Sequence, residues 1–99
     1  SSLLFDSHVD TVQVNDAAMW QYDPFGGEIV NDVLYGRGSV DMKSSVAANV
    51  YAAAWAKRQG LVEDKTVYVS CTVMEEDCDG ENLKHLFREF SLRPDAVVI

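Results

Sequence analysis

Leu3-Leu4-Phe5-Asp6-Ser7-His8-Val9-Asp10-Thr11-Val12 is the stretch around which this sequence is organised. Apolar residues open it, and a histidine and an aspartate follow two positions apart where the apolar run breaks. In a strand, residues i and i+2 project to the same side. His8 and Asp10 should therefore leave the end of a buried strand together, as a metal-binding imidazole and its orienting carboxylate often do. A plain polar strand exit is the alternative. What favours the metal is the later arrival of Asp41, and then Glu75-Glu76, at other element boundaries.

The first strand covers about residues 3–7. Residues 8–25 show no sustained periodicity, and Asn15, Asp16, Asp23, Pro24, Gly26 and Gly27 mark a long loop. Trp20, Tyr22 and Phe25 supply apolar area to pack that loop down, a simpler role than substrate contact. Glu28-Ile29-Val30 and Val33-Leu34-Tyr35 flank Asn31-Asp32, a two-residue hairpin turn. Gly36-Arg37-Gly38 lacks the third glycine of a dinucleotide fingerprint and follows a hairpin, which argues against that fold.

A helix is expected over residues 42–59, with Gly60 as its stop and Lys57-Arg58 at the negative end of its dipole. Met42, Val46, Val50, Ala53 and Ala54 form its apolar stripe. Asp41, just before it, is also a good helix N-cap whether or not it binds anything. Residues 65–74 read as a strand with apolar or small residues on both faces, hence central and covered on both sides. It runs into the acidic stretch Glu75-Glu76-Asp77-Cys78-Asp79-Gly80. A short amphipathic helix follows, with Leu83, Leu86, Phe87 and Phe90 inward, and Arg93-Pro94-Asp95 turns into a last strand, Ala96-Val97-Val98-Ile99. Alternating strands and helices mean an α/β fold, a mostly parallel sheet with helices on both faces.

Composition narrows the function classes. Ninety-nine residues, 47% hydrophobic and 24% charged, make one small soluble domain. A net charge of −8 argues against a nucleic-acid surface. No apolar run approaches the roughly 20 residues of a membrane span. Two cysteines, Cys71 in a strand and Cys78 in an acidic loop, read as free thiols in a reducing, cytoplasmic setting. The chain starts almost directly in one strand and stops in another, which leads us to expect a piece of a larger protein.

In open α/β sheets, function gathers beyond the carboxyl ends of the strands. His8 and Asp10 follow one strand, Glu75 and Glu76 another, and Asp41 opens the intervening helix. One imidazole among several carboxylates suits zinc or a similar divalent ion. Adjacent glutamates point in different directions, so one can coordinate while its neighbour reaches a bound water. An EF-hand started at Glu75 places Asp77, Asp79 and Gly80 well but needs a glutamate where Leu86 stands. A Cys71/Cys78/His85 zinc site is weak, because Cys71 is mid-strand and His85 falls on a solvated helix face.

Ser7-His8-Val9-Asp10-Thr11-Val12, Tyr35-Gly36-Arg37-Gly38-Ser39-Val40-Asp41-Met42-Lys43 and Met74-Glu75-Glu76 together resemble the binuclear zinc amidohydrolases and peptidases. That family includes acetylornithine deacetylase, succinyl-diaminopimelate desuccinylase, aminoacylase and glutamate-releasing carboxypeptidases; the selenium-metabolism hydrolases are the nearest subgroup by this resemblance. It implies that His8 is a terminal ligand of one metal, that Asp10 holds its imidazole, and that Asp41 bridges two metals through a segment with a cis bond to Met42. It implies Glu75 as general base, Glu76 as ligand of the second metal, and two divalent ions, zinc with cobalt or manganese as substitutes. The reaction implied is hydrolysis of an amide bond in an N-acyl amino acid or small peptide. The resemblance also implies further ligands, a lid and dimerisation domain outside residues 1–99, and a homodimeric parent, so that these residues are part of a catalytic domain and inactive alone. The competing reading is a non-catalytic α/β binding module whose carboxylates are caps and turns.

Overall fold

The structure, a computed structural model, describes residues 1–78 and 80–99. Its centre is β1 (Ser2–His8), where Leu3, Leu4 and Phe5 give the apolar, pleated surface that parallel pairing favours. β1 is flanked on one side by β4 (Thr66–Thr72) and on the other by β5 (Ala96–Val98), both parallel to it, in the order β4-β1-β5. The register pairs Leu4 with Tyr68 and Val97, and His8 with Thr72. The α/β class with a parallel sheet is as expected. The expectation that residues 65–74 form the central strand is corrected: β1 takes that place, and among the described residues β4 pairs on one side only. Apolar residues on both faces of a strand say that it will be covered, not that it will be paired on both edges.

A separate antiparallel hairpin joins β2 (Glu28–Val30) to β3 (Val33–Tyr35). Asn31 and Asp32 both have positive φ, 51° and 64°, as a two-residue hairpin turn of matching twist requires. The long loop before it is pinned by a single 3-10 turn, Ala17–Met19, capped by the Asp16 carboxylate accepting from Ala18 N–H. Two of its aromatics are anchors, Tyr22 packing on Tyr35 with ring centroids 4.3 Å apart and Trp20 lying 5.0 Å from the Arg37 guanidinium, whereas Phe25, expected to pack with them, is exposed.

α1 (Ser44–Arg58) begins two residues later than the sequence suggests. Asp41 is not its N-cap. Residues Ser39–Lys43 form a wide turn in which Asp41 and Met42 have non-helical backbone angles, and Lys43 occupies the cap position without a side-chain cap bond. α1 packs on β1 and β4, on the face that carries Ser7, whose Oγ accepts from Asn49 Nδ2 at 2.7 Å. β4 ends where Met74 turns to φ 61°, and the two glutamates open a one-turn helix, α2 (Glu75–Cys78), where a loop was expected. α3 (Glu81–Glu89) follows and is tied to the end of β4 by Val73 N–H donating to Asn82 Oδ1. Leu83, Leu86 and Phe87 are half-buried, but Phe90 falls at the C-cap and is 65% exposed, contrary to its expected inward place.

Burial is concentrated in one short segment. Among the described residues, Leu4, 1% exposed, and Pro24 are the buried apolar side chains, whereas the others that are buried are polar: Asp6, Ser7, His8 and Thr72. The Asp6 carboxylate is satisfied across the sheet, accepting from Ser70 Oγ at 2.5 Å and from Thr72 Oγ1 at 3.1 Å. The best-protected part of this molecule is therefore the carboxyl end of β1, the place where His8 emerges.

Candidate metal centre

Three elements deliver the polar groups to one cleft. β1 brings His8, the turn before α1 brings Asp41, and α2 brings Glu75 and Glu76. The cleft has a volume of about 600 Å³, with Asp6, His8, Asp41, Glu75, Glu76 and Leu83 among its walls. His8, Asp41 and Glu76 each present a ligand atom within 4.8 Å of the others. Asp79, which the rejected EF-hand register would have used, lies outside the described residues.

The His8 ring is fixed at both nitrogens. Nδ1 lies 3.0 Å from the main-chain carbonyl of Asp10, to which it can only donate. The Asp10 carboxylate stands farther off, Oδ1 at 3.5 Å from Nδ1. The imidazole is thus held by the backbone of Asp10 more closely than by its side chain. Nε2 points at Asp41 Oδ1, 3.1 Å away, with Glu75 Oε2 at 3.6 Å. With Nδ1 donating, the neutral ring turns a lone pair toward a carboxylate oxygen, a contact that calls for a cation between them. A proton can serve. So can a metal: two ligands of a tetrahedral zinc, each about 2.0–2.1 Å from the ion, stand roughly 3.3 Å apart. The observed spacing of 3.1 Å fits that donor pair.

Burial of the ring opposes its protonation. The Asp10 carbonyl, the Asp41 carboxylate and the charges of Glu75 and Asp10 outweigh that opposition, and His8 titrates above its ordinary value. Asp10 moves the other way. Burial pushes its carboxyl up, but the N–H groups of Glu76 and Glu75, its own N–H and the neighbouring His8 pull it below the usual carboxylate range.

The Asp10 carboxylate has a second engagement that the short motif does not reveal. Its Oδ2 accepts from Glu76 N–H at 3.2 Å, while Glu76 Oε1 accepts from Val12 N–H at 3.2 Å. This reciprocal pair clamps the exit of β1 to the first turn of α2 and leaves Glu76 its second oxygen for a ligand. Asp10 Oδ1 is buried and, among the described residues, has no hydrogen-bond partner; it stands 3.5 Å from the His8 ring. The peptide bond between Asp41 and Met42 is cis, as the resemblance implies. Cys71 is exposed, Cys78 half-buried, and both are free; His85 is exposed on α3. Lys43, which sequence reasoning passed over, donates from Nζ to Val9 O at 2.7 Å. The signal available was its place: a cation at the positive end of a helix dipole is unfavourable unless it is drawn elsewhere.

A family model described as peptidase family M20/M25/M40 matches residues 4–99. The chain belongs to this family. Among similar proteins, the uncharacterized protein YgeY of Escherichia coli (strain K12) is 37% identical over 93 residues, covering 94% of this chain and 23% of the relative. Succinyl-diaminopimelate desuccinylase 1 of Ruegeria sp. (strain TM1040) is 57% identical over 72 residues, 73% of this chain and 19% of the relative. Succinyl-diaminopimelate desuccinylase of Ehrlichia ruminantium (strain Gardel) is 47% identical over 53 residues, 54% and 14% respectively. The chain thus spans about a fifth of the length of the first two of these relatives. Among the described residues no helix is long and apolar enough to cross a membrane.

Proposed function

We propose that this chain is the metal-binding part of a catalytic domain that hydrolyses an amide bond, with the substrate an N-acyl amino acid or small peptide. The observation that carries it is the convergence of ligand atoms of His8, Asp41 and Glu76 within 4.8 Å, on a cleft that Glu75 also lines. The family assignment supports metal-dependent hydrolysis, and the relatives named for removing succinyl from succinyl-diaminopimelate support an acyl amino acid substrate. His8 and Glu76 would each hold one divalent ion and Asp41 would lie between them, with further ligands supplied from outside residues 1–99. Zinc suits the mixed nitrogen and oxygen donors, and cobalt or manganese could replace it. Two divalent ions bound there would supply Lewis acidity toward water and the scissile carbonyl.

The residues of this chain have separable tasks. The Asp10 main chain orients the imidazole, and its carboxylate holds the turn that presents Glu75 and Glu76. Glu75, which lines the same cleft, would take the proton of the attacking water and pass it to the leaving amine. A homodimeric parent, a lid outside this chain and a cytoplasmic setting belong to the same proposal.

The test is zinc titration of the intact protein, stripped of metal, beside Glu75→Gln and the double variant His8→Ala with Asp41→Ala. Wild type should bind, the double variant should not, and Glu75→Gln should keep its metal while losing about 10²–10⁴-fold in turnover. Residues 1–99 alone should turn nothing over. Equal metal binding by wild type and the double variant would leave only a binding module whose carboxylates are caps and turns.

A further inference from the structure

Asp41 is the least sheltered of the convergent ligands, its side chain 74% accessible. Its backbone, at φ −110° and ψ 97°, belongs to no regular element. Its contact with His8 brings together two groups that do not attract until a cation joins them. Something else must hold it in place.

The turn that carries Asp41 is fastened on both sides. Lys43 N–H donates to Gly38 O at 2.9 Å, closing the loop. Gly38, with φ 79°, lies so close to Thr11 and Lys43 that an added Cβ would collide with Thr11 Cγ2 and stand 2.8 Å from Lys43 Nζ. Lys43 Nζ in turn donates to the carbonyl of Val9, the residue after His8, at 2.7 Å. Among the described residues no carboxylate lies within ion-pair distance of this ammonium. One side chain thus spans from the residue next to His8 to the turn that presents Asp41.

We propose that Lys43 is a positioning residue for Asp41: by capping the Val9 carbonyl it sets the Asp41–His8 spacing and so the affinity for metal. The inference rests on the metal reading above. It makes a prediction opposite in sign to simple electrostatics. A fixed cation near the site repels a second cation, so a neutral side chain at position 43 would tighten metal binding if charge were all that Lys43 contributed. Positioning predicts weaker binding.

The experiment is zinc titration of the metal-stripped intact protein as wild type, Lys43→Met, Lys43→Arg and His8→Ala, with the melting temperature of each metal-free form. We expect Lys43→Met to bind about tenfold or more weakly, the range for groups that orient ligands, with a metal-free melting temperature close to wild type. Lys43→Arg, which can still donate to the Val9 carbonyl, should recover most of the affinity. Lys43→Met binding as tightly as wild type, or more tightly, overturns the inference. So does weaker binding that tracks a lower metal-free melting temperature and is not restored by arginine. If His8→Ala binds zinc as well as wild type, the metal reading itself has failed and takes this inference with it.

Discussion

At His8, the direction of titration fixes how the protein responds to pH, and under the proposed function a proton and a metal ion would compete for the same nitrogen. The folded state favours the protonated ring, because the Asp10 carbonyl and the carboxylates of Asp41, Glu75 and Asp10 outweigh the opposing burial. Without metal, the stabilisation from His8 is therefore fully present below its unfolded value of about 6.5, and is lost as pH rises through the higher folded value. Asp10 acts in the opposite sense, since its carboxyl is held below the usual range. Its stabilisation is present above the unfolded carboxylate value and is lost as pH falls through the depressed one. Metal-free protein should thus be most stable between the two transitions, and its melting temperature in chelator should decline as pH rises past neutrality. Metal binding, which needs the neutral ring, should strengthen over that same window and release a proton. Calorimetric titrations in two buffers of different ionisation heat would count that proton. A melting temperature independent of pH from 6 to 8, or a decline that His8→Ala shares, would refute this account.

Among the elements, the strap that carries Asp41 tests how much of the site depends on backbone shape. Gly38 takes a left-handed conformation with Thr11 and Lys43 against it. Gly38→Ala should cost about 1–2 kcal/mol for the backbone conformation alone, with the collision added, and should weaken metal binding. Urea unfolding of the metal-free protein, followed by zinc titration, would show both; an unchanged midpoint would mean that the strap yields freely. The strap also marks where sequence reading stops. The meeting of His8, Asp41 and Glu75-Glu76 at one cleft was legible because polar residues at element ends on one edge of a parallel sheet come together, and the Asn31-Asp32 turn because hairpin twist demands positive φ. The ties between elements were not legible. Asp10 to Glu76 N–H, Lys43 to the Val9 carbonyl and Asp6 to Ser70 and Thr72 join residues 34 to 66 positions apart. No local period encodes such pairs. The helix start misled for a related reason: Asp41 looks like a cap locally, but the turn it belongs to is shaped by Gly38 and Thr11. β4 misled because its apolar faces report what packs over it, and its neighbours in the sheet are decided elsewhere in the chain.

Over the whole molecule, burial among the described residues falls mostly on polar side chains at the carboxyl ends of β1 and β4, and the apolar core is small. The chain measures 50 × 32 × 15 Å with a radius of gyration of 16.1 Å, whereas a close-packed domain of this size has about 13 Å. Trp55, Tyr51, Leu61, Phe90 and Ile99 are among many large apolar side chains left exposed, and among the described residues Leu4 is the one buried aliphatic or aromatic side chain. Hydrophobic burial is the main favourable term that offsets chain entropy, and little of it is realised here. Stability of this sheet should therefore come largely from surfaces packed against it in a longer polypeptide, consistent with relatives about four times its length. A self-sufficient domain of about 100 residues unfolds with an enthalpy near 60–80 kcal/mol. Residues 1–99 on their own should show a broad transition with well under half of that, and should bind a dye specific for exposed apolar surface. The same residues within the intact protein should unfold cooperatively and without dye binding at moderate temperature. Scanning calorimetry of both forms decides it. A sharp transition of full enthalpy from residues 1–99 alone would mean that the cross-sheet polar ties, above all Asp6 with Ser70 and Thr72, stabilise this fold far more than its apolar contacts do.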